Sequence, residues 1–203
     1  MGKSAAIGCA GAIILVLLIG GTSIGGSYNR LVQLDQATQA QWAQVQNAYQ
    51  RRADLVPNLV ATVKGAANFE KSTMVEVTEA RARVNQVSPA AMGDILKDPA
   101  AFQRFQQAQQ GLSAALTHLF AVAENYPNLR ATENFRDLQA QLEGTENRIA
   151  VERMRFNEAA QAFNTVRNRF PMVMIAGLFG DKFAPKPYFA AEPGSQKAPQ
   201  VTF

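Results

Sequence analysis

Phe135, Leu142, Ile149, Phe156, Phe163 and Phe170 recur at strict intervals of seven up to Pro171. A strand alternates its faces every second residue, so only a helix keeps such a row on one side. The spacing predicts a helix from Ala131 to Phe170, about 60 Å long at 1.5 Å per residue, with an apolar seam that another helix must cover. A companion row carries Leu138, Ala159 and Val166 but also Thr145 and Glu152, so the middle of this seam is expected to pack less tightly or face water.

The same period recurs earlier. From Tyr28 to Val84 the only proline is Pro57 and the only glycine Gly65, and the abundance of Ala, Gln, Leu and Arg favours helix. Trp42, Tyr49, Val56 and Val63 form one row; Val45, Leu59 and Ala66 form a second, interrupted by Arg52. Pro57 is expected to kink or split the helix, because its ring removes a backbone donor. Turn residues gather between Asn85 and Pro99. A further helix is predicted from Pro99 to about Asn125, with Asp98 as its cap, and Tyr126-Pro127-Asn128 reads as a turn.

The fold class expected is therefore all-α: residues 28–170 form an elongated antiparallel bundle of three long, coiled-coil-like helices. Thin bundles of this kind expose flanks that suit self-association, so a homo-oligomer is expected. Residues 171–203 hold a short apolar run, Met172 to Phe179, and a Pro-rich extended tail. The run is too short to cross a bilayer; it docks on the bundle end, touches membrane, or meets a neighbouring subunit.

Between Lys3 and Arg30 no side chain is charged, and Ile7, Ile13, Ile14, Leu15, Val16, Leu17, Leu18 and Ile19 dominate the stretch. About twenty such residues span a hydrocarbon core of roughly 30 Å. Residues 1–27 thus read as an uncleaved transmembrane anchor in a lipid bilayer, with cleavage after the small residues near Thr22 to Gly25 as the alternative. Lys3 and the terminal amine against Arg30 place the start in the cytoplasm and the helical body outside, in single-pass topology. Lipid attachment at Cys9 is disfavoured, since the longer apolar run follows the cysteine. Ala6 spoils a myristoylation pattern.

One Cys and one His in 203 residues, with a net charge of +4, argue against a structural zinc site, a disulfide framework or a Cys/His nucleophile pair. The basic residues are scattered, so no nucleic-acid partner is indicated. His118 reads as a satisfied or solvated helix residue, and the mixed charges from Glu143 to Arg155 read as a solvated surface. No cofactor, metal or catalytic constellation is indicated, and the chain is expected not to be an enzyme.

Certain words of the sequence are specific. Tyr28-Asn29-Arg30-Leu31-Val32, the block Arg51-Arg52-Ala53-Asp54-Leu55-Val56-Pro57-Asn58-Leu59-Val60, then Glu124-Asn125-Tyr126-Pro127-Asn128-Leu129, Asn134-Phe135, and Leu142 to Ile149 with Glu146 resemble the LemA family. Phe156-Asn157, Phe163-Asn164, Phe170-Pro171 and the terminal Pro199 to Phe203 complete the resemblance over Tyr28 to Phe203. It implies a bacterial plasma-membrane protein with an amino-terminal membrane segment and an antiparallel helical body. It also implies a setting in the cell envelope, near membrane-protease and stress functions or the shaping of magnetosome membranes. Two functions follow as expectations: a self-assembling scaffold or membrane-organising component, and alternatively an adaptor or regulator of a membrane protease. Some relatives carry a lipidated cysteine before the Tyr-Asn pair, where Gly25-Gly26-Ser27 stands here. Within the motifs, Asp54 is placed to cap a helix restarted at Pro57, and Arg51 and Arg52 to pair with Glu143 or Glu146 across the bundle.

Overall fold

A computed structural model describes residues 3–65, 69–87 and 95–190, apart from the side chains of 3–10, 12–24 and 175. Its elements in chain order are α1 (Lys3–Lys64), α2 (Lys71–Gln86), α3 (Pro99–Ala123), the single turn α4 (Pro127–Arg130), α5 (Glu133–Asn168), α6 (Met172–Leu178) and a 3-10 turn, Gly180–Phe183. The fold is all-helical, with no strand among the described residues. Among those residues no helix is long and apolar enough to cross a membrane. The anchor side chains from Ile7 to Ile19, apart from Gly11, lie outside the described residues, as do Val201 and Phe203.

Pro57 does not split the first helix: α1 runs through it for 62 residues. Proline at 57 has no N–H for the carbonyl of Ala53, and its ring pushes that carbonyl outward. The freed oxygen accepts from Arg81 Nε of α2 at 3.0 Å, so the missing bond is replaced across a helix interface. The helix ends at Gly65 instead. Gly65 N donates to Thr62 O at 3.2 Å, and a Cβ there would stand 3.3 Å from the same oxygen. What the sequence presents as one long segment is thus two helices, and the bundle has four principal helices instead of three.

These helices form two close pairs, α1 with α5 and α2 with α3. Thr38 meets Ala159 and Arg52 meets Glu146, so α1 and α5 are antiparallel. Tyr49 lies against Phe105 and Trp42 against Phe102, so α3 runs parallel to α1. Asp98 Oδ1 accepts from Ala100 N at 2.9 Å, capping α3, and Pro99 occupies the first turn, where its missing donor is harmless. Phe135, Leu142, Ile149, Phe156 and Phe163 are all buried along α5.

Two expectations about that seam need correcting. Thr145 and Glu152 are not loose or wet; each is only 3% exposed. Thr145 satisfies its hydroxyl on the carbonyl of Gln141 at 2.7 Å. Glu152 is reached from the flanks by Arg155 Nη1 at 3.3 Å and Arg148 Nε at 3.8 Å, both on exposed side chains, so its charge enters the core with counterions attached. Phe170 is not the last residue of the seam. It precedes Pro171, which disfavours helical geometry there; α5 ends at Asn168, Arg169 turns extended, and Phe170 is 81% exposed.

At about 1.5 Å per residue, α3 is roughly 38 Å long and α5 roughly 54 Å, so α1 and α5 overshoot the α2/α3 pair. The overshoot is covered by the C-terminal chain. α6 and the 3-10 turn place Ala176 and Phe183 on Leu31, Leu34 and Phe163, and Phe189 reaches the layer of Trp42, Phe102 and Phe156.

Candidate functional site

The motif residues gather at four places. The first is a buried arginine. Arg52 lies on the core side of α1, where it interrupts the apolar row, and is 1% exposed. Its guanidinium donates to Glu146 Oε1 at 2.7 Å and Ser113 Oγ at 2.6 Å. It also donates to both the carbonyl and the side-chain oxygen of Gln109, at 3.1 and 2.6 Å, and it lies 5.2 Å from the Tyr49 ring centroid. A planar fork with several donors is the side chain able to reach three helices at once. Because α1, α3 and α5 all contribute, this centre fastens the α1/α5 pair to the α2/α3 pair. The adjoining cavity is about 20 Å³, room for about one water. The arrangement holds helices in register and leaves no room for a substrate.

Arg51 takes no part in it. It is exposed and lines an open groove of about 900 Å³ between α1 and α5, with Arg148, Asn58 and Asp54. Asp54 caps no helix start, since α1 does not restart; its Oδ1 accepts from Gln50 Nε2 at 2.8 Å, one turn back.

The second place is the far end of the bundle. Tyr126, Pro127 and Asn134 line a cleft of about 670 Å³ with Thr62, Gly65 and Leu129, and Tyr126 lies 4.9 Å from Phe69 between ring centroids.

The third is a pair of asparagines on α5. Asn157 Nδ2 donates to the carbonyl of Phe189 at 3.0 Å, and its Oδ1 accepts from Phe189 N at 2.9 Å. Asn164 makes the same two bonds to Lys186, each at 2.9 Å. Seven helical residues rise about 10.5 Å and three extended residues about 10 Å, so amides seven apart on α5 meet peptide groups three apart on the extended 184–190 segment. Lys186 is itself buried, with Nζ 2.6 Å from Asp35 Oδ1 of α1 and 5.1 Å from the Phe163 ring centroid. The contact with Asp35 is an ion pair without hydrogen-bond alignment. This segment is a strap, fastened by side-chain amides.

Tyr28, Asn29, Phe170 and Pro171 mark the fourth place, the near end. Tyr28 packs on Phe179 and Phe183, with ring centroids 5.1 and 5.6 Å away, and Lys182 Nζ donates to its hydroxyl. Asn29, Phe170 and Pro171 are exposed.

His118 Nδ1 lies 2.8 Å from Glu76 Oε2 at the exposed α2/α3 surface. Its acid comes from another helix, which local spacing along the chain does not reveal. Among the described residues no group of three His, Cys, Asp or Glu side chains is arranged to hold a metal ion.

Asn157 belongs to the motifs, yet its role as a clamp, and those of Asn164, Lys186 and Arg81, are not apparent from periodicity. The usable signal is the Phe-Asn pair repeated at seven, which points an amide beside the seam at whatever covers it.

These features define a class: an all-helical bundle in which Arg52 with Glu146 binds helix to helix and Asn157 with Asn164 binds strap to helix. Within that class the chain belongs to the LemA family, whose model matches residues 41–203. It is similar to magnetosome protein MamQ 2 of Paramagnetospirillum magneticum, 27% identical over 180 residues that cover 82% of this chain and 65% of that protein. Magnetosome protein MamQ of Magnetospirillum gryphiswaldense is 26% identical over 169 residues, covering 76% of this chain and 62% of its own length. The chain therefore spans somewhat less than two thirds of these relatives.

Proposed function

We propose that this protein is a single-pass, membrane-tethered helical scaffold that acts by assembling with copies of itself at the bacterial plasma membrane, without turning over a substrate. The observation that carries the reading is the continuity of α1, which runs as one helix from Lys3 into the bundle core. Whatever holds the uncharged leader holds the bundle through one continuous helix. In sequence the uncharged leader carries the apolar run Ile13 to Ile19, of the kind membrane anchors use, and relatives named as magnetosome proteins align with 82% of the chain at 27% identity. The positive charge of Lys3 and the amino terminus favours a cytoplasmic start and an extracytoplasmic bundle.

The test is fractionation of the full-length protein with in situ crosslinking. Wild type should stay with membranes through alkaline carbonate, the Leu15→Arg/Leu18→Arg variant should be released, and wild type should give a homotypic ladder. Release of wild type sinks the tether; a monomer throughout sinks the scaffold. The second reading, an adaptor for a membrane protease, draws on the far-end cleft around Tyr126 and Leu129, which is open enough to seat a peptide segment. A dominant adduct with one foreign membrane protein, formed from that cleft, would favour it.

A further inference from the structure

We propose that α6 and its flanks form a foot that rests in the interface of the bilayer beside the leader. α6 is apolar on two sides: one is committed to the bundle and the other faces outward. Ala176 and Phe183 are buried on Leu31, Leu34 and Phe163. Facing outward are Phe170, Met174 and Leu178, at 81%, 63% and 84% exposure, with Val173 and Phe179 near half exposed. Scattered exposed apolar residues need no explanation, but several large ones on one short segment mark a contact surface.

Its place in the fold identifies the occupant. The patch sits where α1 passes from the uncharged leader into the bundle, since the Phe179 ring packs tilted on Tyr28 and Lys182 Nζ lies 5.1 Å from the centroid of the Tyr28 ring. The proposal rests on the tether reading: if the leader crosses a bilayer, Tyr28 stands at the headgroup level, as interfacial aromatics do, and the patch is held at the same depth. Charge agrees with a lipid surface. From Arg167 to Lys182 the chain carries Arg167, Arg169 and Lys182 against the single acid Asp181, and Arg30 follows Tyr28 by two residues on α1; Lys186 is buried against Asp35 and takes no part. A basic rim around an apolar face suits an anionic bilayer. A second copy fits less well, because a two-fold contact through this face would set each basic rim against its own image.

The experiment uses the full chain with Cys9→Ser and a single environment-sensitive dye on Leu178→Cys, or on Met174→Cys as a second position, reconstituted into phosphatidylcholine vesicles containing phosphatidylglycerol. Met154→Cys, an exposed site on the bundle body, is the reference. Helical content by circular dichroism is matched to wild type before labelling. A blue-shifted emission at 178 and 174, quenched at least threefold more strongly by lipids spin-labelled near the headgroup than at 154, supports the foot. Protein that floats with the vesicles while the dye at 178 and 174 stays water-exposed overturns the foot and leaves the tether standing. Protein that fails to float overturns both. A blue shift without lipid quenching, joined by 178-to-178 crosslinks, assigns the face to a second copy and overturns the proposal.

Discussion

The two halves of the bundle close the same seam in different ways. Beyond Arg52, toward the far end, α1 and α5 are covered by two helices, and the core of Val56, Leu59, Leu112, Leu119, Phe135 and Leu142 is built from rows at helical spacing. Toward the near end the cover is a short helix, a 3-10 turn and an extended strap, and the fastening is polar: two asparagine amides and one buried lysine. A covering helix satisfies its own backbone and needs only an apolar face. A strap cannot satisfy its own peptide groups, so the partner must supply donors and acceptors at the strap's spacing. The far half is therefore closed by hydrophobic pattern, whereas the near half adds hydrogen-bond register to the apolar contacts of Ala176, Phe183 and Phe189.

The largest effect that separates these modes is expected at the centre joining the helix pairs. Arg52→Ala removes the guanidinium on which α1, α3 and α5 converge and strands the buried Gln109 oxygen. Glu146 is 43% exposed and regains water, which discounts the usual cost of a broken buried pair, leaving about 2–3 kcal/mol from lost bonds and the cavity. Thermal unfolding of the full chain in detergent should shift down by roughly 5–10 °C for a domain of this size. Hydrogen exchange should accelerate in α2 and α3 more than in the strap. Equal acceleration in both halves would show that the arginine does not divide them.

A smaller and local effect is expected at the strap. Asn164→Ala deletes both bonds to Lys186 and the one to the exposed Tyr188 hydroxyl, a loss of about 1–2 kcal/mol, since a typical net hydrogen bond contributes about 0.5–1.5 kcal/mol and the tyrosine regains water. The amides of Lys186 and Phe189 should lose protection while those of Leu112 to Leu119 keep theirs. If far-half amides change as much as the strap, the two halves are one cooperative unit.

The contrast also explains what could be read from the chain alone. The rows through Phe135 to Phe163 and through Trp42 to Val63 are visible because burial at period seven repeats a single side-chain property. Asp98-Pro99 is visible because a cap acts on its own helix. The pairings of Arg52 with Gln109, His118 with Glu76 and Asn157 with Phe189 join residues 57, 42 and 32 positions apart, and no local spacing encodes them. Glu152 looks wet in sequence because its charge breaks the apolar row, and burial of that charge depends on Arg148 and Arg155 reaching it from the flanks of its own helix. The near-end foot shows the reverse case. Its apolar run is plain in sequence, but that it touches Tyr28 emerges only from the fold.

Pro57 gives the smallest and most diagnostic test, because it asks whether a helix interior can be completed from outside. In wild type, Arg81→Met should cost about 1 kcal/mol by leaving the Ala53 carbonyl without its donor. Pro57→Ala restores an N–H at the position that would bond to that carbonyl, so in the Pro57→Ala background the same Arg81→Met change should cost close to nothing. Denaturant unfolding of the four proteins in the cycle measures the coupling directly. A cost at Arg81 that is unchanged by Pro57→Ala would mean that the arginine stabilises α2 by packing its stem, and that α1 carries its proline without help.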